Sequence, residues 1–236
     1  MITFVVPAHN EEALIGASLR AMHAAASAIG ESYELIVADD GSTDRTAGIA
    51  REHGARVVSI ASRQIAAARN AGARVAQGER LLFVDADTLV DEAVVRAALR
   101  ALDADAVGGG AAVHFEGTIP RWAELLLPAF VWAFRVLGIA AGCFLFCTRR
   151  AFEAVGGFDE TVYAAEEIFM SRALKRQGRF VVLREAVTTS GRKLRAYSPW
   201  EILRMMTRIA LRGPSAVRSR AELGLWYDDR RRDPGG

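Results

Sequence analysis

Cysteine is nearly absent from this 236-residue chain, which has only Cys143 and Cys147. That scarcity excludes a secreted scaffold stapled by disulfides, and the pair lacks the companions of a zinc site. Buried thiols in a reducing, cytoplasmic compartment are the reading that remains. Lysine is as scarce, with Lys175 and Lys193 the only two among 30 basic residues. A receiver-type phosphoacceptor pocket wants an acid pair after the first strand and a lysine near a late strand. Here Asp39 and Asp40 follow the second strand-like run. Long uncharged runs are missing too. Arg135 divides the apolar stretch 122–147 into pieces 125–134 and 136–148, both short of the ~18–20 residues of a spanning helix. Trp122, Phe130, Trp132 and Phe134 beside Arg121 and Arg135 describe an interfacial helix on a membrane, or a helix that covers the core or lines an apolar acceptor site. No basic-then-apolar leader precedes the strand-like start, so no cleaved signal is expected. There is no P-loop, no GxGxxG, no internal repeat and no interdomain linker.

What is present suits a globular chain with a substantial core. Apolar residues make up 51% and charged residues 25%, which excludes disorder and a coiled coil. The net charge of +2 is uneven: residues 1–190 carry net −4, and residues 191–236 carry net +6. Such a tail faces phosphates, anionic lipid or nucleic acid, or is a solvated helix face. Continuous apolar, β-rich runs at 2–6, 34–38, 56–60, 81–84, 144–147 and 180–183 read as strands buried on both faces. Ala-rich stretches at 11–28, 44–53 and 62–77 read as helices between the first four. This alternation predicts an α/β fold with a mostly parallel sheet, which binds ligands at the carboxyl ends of its strands. A further helix is expected at 91–102, a strand at 106–113 and an amphipathic helix at 199–211. From 226 to 236 a disordered tail is expected.

Four polar clusters follow apolar runs. In VVPAHNEE (5–12) Pro7 ends the strand, and Asn10 caps the next helix with Glu11 and Glu12 in its first turn. In VADDGSTD (37–44), Asx turns and capping account for Ser42, Thr43 and Asp44. They account less well for Asp39 and Asp40, whose carboxylates suit a base N–H or a ribose hydroxyl. In LLFVDADT (81–88), Asp85 and Asp87 emerge on one side of a buried strand end. Two like charges there need a cation or donors, and oxygen ligands with room for phosphate suit Mg²⁺ or Mn²⁺. The alternative is a turn plus a helix cap from Thr88 or Asp91. In GGFDETVYAAEE (156–167), Gly156 and Gly157 permit a tight turn, and Glu166 and Glu167 open a helix.

Taken in order with ARNAG (68–72), these motifs resemble the inverting glycosyltransferases of family 2, over roughly residues 1–185. The resemblance implies a GT-A fold, a Rossmann-like sheet flanked by helices. It implies one domain over 1–225, with a donor part at about 1–110 and an acceptor part at about 111–225. It further implies that Pro7, Ala8 and Glu11 line the nucleoside site, that Asp40 with Asp39 holds the base, and that Arg69 sits nearby. Asp85 and Ala86 would face the ribose, Asp85 and Asp87 the divalent ion, and Arg192 and Lys193 of TTSGRK the diphosphate. Glu167 stands where the family has its catalytic Asp, with Glu166 beside it as the alternative base. The histidines, His9, His23, His53 and His114, come too early for a further metal ligand. The Gln-x-x-Arg-Trp signature of processive synthases is absent, so a single transfer is expected.

The expected reaction moves a sugar from a nucleoside-diphosphate sugar to a small-molecule or lipid-linked hydroxyl. Nucleic acid is not an expected partner; for the apolar stretch 122–147, a lipid-linked acceptor with peripheral contact at the inner face of a membrane and a homodimer are the alternatives. The competing readings are a metal-dependent pyrophosphatase or nucleotidyltransferase, and a donor-binding module with little turnover.

Overall fold

The computed structural model describes residues 1–117, 119–120, 122, 124, 132, 135–192, 195, 200–201, 204, 207 and 217–218. The expected tail at 226–236 and Lys193 lie outside the described residues, as does the helix expected at 199–211 apart from four of its positions. Strand β1 (Ile2–Ala8) leads through α1 (Ile15–Ile29) to β2 (Tyr33–Asp40), and α2 (Thr46–Glu52) leads to β3 (Arg56–Ile60). Then come α3 (Ile65–Val75), β4 (Arg80–Val84), β5 (Thr88–Leu89), α4 (Glu92–Asp103) and β6 (Ala106–Glu116). After the connection come β7 (Phe144–Thr148), α5 (Arg149–Ala154), α6 (Glu166–Lys175) and β8 (Arg179–Ser190).

One eight-stranded sheet results, in the order β3-β2-β1-β4-β7-β6-β8-β5. The β3, β2, β1, β4, β6 and β8 strands run one way, and β7 and β5 run against them. Alternation along each strand feeds two cores. Phe4, Val6, Leu82, Val84, Phe144 and Phe146 pack with α1, α2 and α4. Val5, Leu81, Phe83, Leu145 and Cys147 pack with α3, α5 and α6 on the other face. The expected mainly parallel α/β sheet is therefore the one observed. Both cysteines are free thiols, and burial pushes both thiol pKa values upward. No helix among the described residues is long and apolar enough to cross a membrane.

Local details differ from the sequence reading. Pro7 lies inside β1, opposite Ala38. Asn10 caps no helix; α1 starts at Ile15 after Leu14. Asn10 takes a left-handed φ of 51°, and its Oδ1 accepts from Thr43 N at 2.8 Å. Thr88 joins β5 rather than capping α4. Asp91 is that cap, accepting from Val94 N at 2.9 Å. The last strand runs on past the expected 180–183 to Ser190.

The glycines of β6 set how tightly the sheet packs. A Cβ on Gly109 would lie 2.1 Å from Val181 O and 2.4 Å from the Phe146 ring. Backbone on one side and a buried ring on the other leave no room to yield. Gly109→Ala is expected to destabilise the fold by about 3 kcal/mol through overpacking, read as the midpoint shift in urea. Gly48→Ala in α2, where a Cβ meets nothing within 4 Å, should be neutral to slightly stabilising.

Candidate active site at the carboxyl ends of the strands

The ends of β1, β2 and β4 open on one crevice, and its walls are sewn together by short polar loops. Asn10 N donates to Ser42 Oγ at 2.9 Å, Glu11 N to Thr46 Oγ1 at 2.7 Å, and Glu12 N to Asp44 Oδ2 at 3.1 Å. Asp44 also accepts from Thr46 N, the first residue of α2, at 2.9 Å. Hydrogen bonds from the Thr46 side chain and backbone outweigh its partial burial and hold its carboxyl below the usual range.

The two β2 aspartates divide their work. Asp40 Oδ1 accepts from Ser62 N and Arg63 N at 2.8 Å each, and Oδ2 accepts from Gln64 N at 2.6 Å. Those three bonds tie Asp40 to the entry of α3. Its carboxylate thus already serves the fold at the position where a base ligand is expected. Asp39 is 6% exposed, and its buried Oδ1 has no hydrogen-bond partner among the described residues. A buried carboxylate oxygen without a donor is costly, so Asp39 is the member of the pair that awaits one.

Arg69, expected near the nucleotide, lies against Asp85 at the end of β4. Its side chain is 2% exposed and reaches inward from α3. Nη1 donates to Glu166 Oε1 at 2.6 Å, and Nη2 donates to Asp85 Oδ1 at 2.9 Å and to Gly142 O at 2.6 Å. The Phe158 ring lies 5.2 Å from the guanidinium carbon, within cation–π range. Burial opposes the charge, but Asp85, Glu166 and Glu167 outweigh it and raise the Arg69 pKa. Asn70, which the sequence reading passed over, holds the adjacent turn. It accepts from Phe158 N at 2.9 Å and donates to Phe158 O at 2.9 Å and to Glu160 Oε1 at 2.8 Å. The signal was there: an Arg-Asn pair inside an alanine run whose residues 66–73 are all buried.

The remaining acids face the crevice differently. Glu166, the alternative base, is committed to Arg69. Glu167 is half-buried beside Gly142. Burial first, then the neighbouring Glu166, pushes its carboxyl up to about 8. Asp87 Oδ2 and Glu11 Oε1 both accept from Arg192 Nη2, at 2.9 and 2.7 Å. Ala86 lies in the core, its carbonyl accepting from Ser18 Oγ at 2.8 Å. Pro7 and Ala8 end β1 beside Ala38 and Asp39. Among the described residues, no three His, Cys, Asp or Glu side chains gather around a metal position. Asp85 and Asp87 offer oxygen donors only. That set fits Mg²⁺ or Mn²⁺ held by one or two carboxylates and completed by phosphate and water, not a closed zinc site.

Removing the buried cation leaves two acids without their partner. Arg69→Met should destabilise the protein by about 3–5 kcal/mol in chemical denaturation, and adding Glu166→Gln should restore part of that loss. For Glu167 the folded pKa is raised above the ordinary value of 4.5. Its contribution to stability is therefore full below that value and is lost as pH rises towards about 8. Thermal melts should show Glu167→Gln gaining on the wild type across this window.

Residues 3–156 match the family model described as glycosyl transferase family 2. Among curated proteins, an undecaprenyl-phosphate 4-deoxy-4-formamido-L-arabinose transferase of Pseudomonas aeruginosa is 32% identical over 163 residues, which are 64% of this chain and 48% of that protein. The chain thus spans about half the length of this relative. Among solved structures, the mannosyltransferase PcManGT of Pyrobaculum calidifontis, in complex with GDP-Man and Mn²⁺, aligns with a TM-score of 0.67 at 22% identity. The alignment covers 89% of this chain and 64% of that one. Glucosyl-3-phosphoglycerate synthase of Mycobacterium tuberculosis, with Mn²⁺, UDP and glucosyl-3-phosphoglycerate, aligns with a TM-score of 0.58 at 21% identity, covering 96% and 80%. The expected GT-A architecture is the one these neighbours share, and with two thirds of its length inside the family model the chain belongs to glycosyl transferase family 2.

Proposed function

We propose that the chain transfers a sugar from a nucleoside-diphosphate sugar to an acceptor hydroxyl, with inversion at the anomeric carbon and with the help of Mg²⁺ or Mn²⁺. The observation that carries this reading is Glu167: the one acid of the base motif outside the buried Arg69 pair, with a proton affinity raised to about 8. A base poised near working pH can take a hydroxyl proton as that oxygen attacks. The acceptor oxygen forms its bond to the anomeric carbon from one face while the bond to the diphosphate breaks on the other. Asp39 Oδ1 supplies the unmatched acceptor for a base N–H, and Glu11, Pro7 and Ala8 wall that end. A divalent ion, when bound, would offset charge on the leaving diphosphate. Asp87 and Asp85 would hold that ion, and Arg192 and Lys193 would face the same phosphates.

Relatives support the substrate classes. The two solved neighbours were captured with GDP-Man or UDP and with Mn²⁺, and the Pseudomonas relative is named for an undecaprenyl-phosphate acceptor. Trp132, Val136 and Leu137, all at least 60% exposed, are consistent with an apolar acceptor or peripheral contact at the inner face of a membrane. Residues 1–225 would act as one domain, with the donor held by about 1–110 and the acceptor by the part beyond. Homodimerisation is a separate proposal for the same apolar residues.

Glu167→Gln should keep nucleotide affinity yet slow transfer by roughly 100-fold or more. The wild-type rate should climb with pH and level off above about 8, as the base loses its proton. Asp39→Ala should weaken nucleoside diphosphate binding. Release of nucleoside monophosphate with sugar phosphate, instead of nucleoside diphosphate, would overturn the reading in favour of a pyrophosphatase.

A further inference from the structure

The resemblance implies a place for Arg192 at the diphosphate, and its guanidinium is already engaged by carboxylates. A single nitrogen, Nη2, lies 2.7 Å from Glu11 Oε1 and 2.9 Å from Asp87 Oδ2. The three side chains are 20%, 7% and 12% exposed, and Nε is buried with no hydrogen-bond partner among the described residues. The backbone fixes this arrangement from behind. Ser190 N, at the end of β8, donates to Asp87 O at 3.2 Å, and Arg192 N donates to Ser190 Oγ at 3.3 Å. Arg192 therefore enters the crevice from a strand end bonded to the aspartate it pairs with.

We infer that Arg192 is a built-in monovalent occupant of the carboxylate position that a divalent cation would use, and that it couples cation binding to diphosphate binding. The inference rests on the donor-site reading above and deepens it. A buried carboxylate and a half-buried one stay near each other at a cost unless positive charge lies between them. In the donor-free protein, that charge is a guanidinium tethered to the chain. A cation arriving alone must displace it, leaving a half-buried guanidinium without these carboxylates. A nucleoside diphosphate changes the balance, because its oxygens offer a guanidinium the bidentate pairing that it favours. With Arg192 turned to the phosphates, Asp87 is released. Arg192 is thus a positioning residue that makes each ligand raise the affinity for the other, reciprocally.

The test is the affinity for Mn²⁺, read from the electron paramagnetic resonance of the free ion. Wild type, Arg192→Gln and Arg192→Lys are compared without nucleotide and with saturating uridine or guanosine diphosphate, after subtracting the nucleotides' own Mn²⁺ binding. Arg192→Gln should bind Mn²⁺ alone about tenfold more tightly than wild type, whereas Arg192→Lys, which keeps the charge, should stay close to wild type. Nucleoside diphosphate should tighten Mn²⁺ binding about tenfold in wild type and much less in Arg192→Gln. Equal or weaker Mn²⁺ binding by Arg192→Gln overturns the inference and leaves the donor site standing, as does equal tightening by the Lys and Gln variants. Should Arg192→Gln not fold, the wild-type arm decides: no tightening by nucleotide overturns the coupling. Absence of any Mn²⁺ binding to wild type with either nucleotide overturns both the inference and the metal-dependent reading.

Discussion

A guanidinium sealed from solvent and shared among Asp85, Glu166 and the Gly142 carbonyl is the constraint on which the rest of the crevice depends. Its four partners, counting Phe158, come from segments far apart in the chain. Asp85 marks the mouth of β4, Glu166 opens α6, Gly142 precedes β7, and Phe158 sits on the turn between α5 and α6. Burying one charge in this way is tolerable only when every side of it is matched. The match therefore fixes where four segments meet. Glu167 inherits its position from this meeting. The residue before it is pinned, and the field of the cluster helps to set its proton affinity.

Seen from Arg69, the acids of the crevice separate by what they are tied to. Asp40 and Asp44 are spent on the starts of α3 and α2, and Glu166 and Asp85 neutralise Arg69. Glu11 and Asp87 share Arg192. Asp39 keeps an oxygen without a donor among the described residues, and Glu167, its carboxyl pushed up to about 8, stands beside the Arg69 cluster. An acidic crevice built this way avoids the self-repulsion that so many carboxylates would otherwise generate. It does so with arginines that reach in from different elements.

Much of this was legible in the sequence because buried parallel strands are continuous apolar runs, and the runs at 2–6, 34–38, 56–60 and 81–84 have that form. The end of the last strand was not, because Arg184, Glu185 and the polar Thr188, Thr189 and Ser190 interrupt the apolar run, and pairing with β5 and β6 holds them in β8. A two-residue strand such as β5 carries no periodicity to read. Adjacent Asp39 and Asp40 point to opposite faces of β2, so a motif could mark both without saying which faces the fold. Arg69 is expected beside the donor because of its motif, and packing adds that it is buried against Asp85 and Glu166.

The reversed strand β7 has a consequence for variation. Strand β6 ends and β7 begins towards the end of the sheet where β1, β2 and β4 finish, so the connection between them starts and stops on the side of the crevice. Its return is anchored by two backbone carbonyls, Gly142 to Arg69 and Cys143 to the Asp85 amide. Neither anchor depends on side-chain identity. Descendants of this chain are thus free to lengthen, shorten or rewrite that excursion while the parallel half keeps its register. Diversification can proceed on one side of the reaction without renegotiating the other.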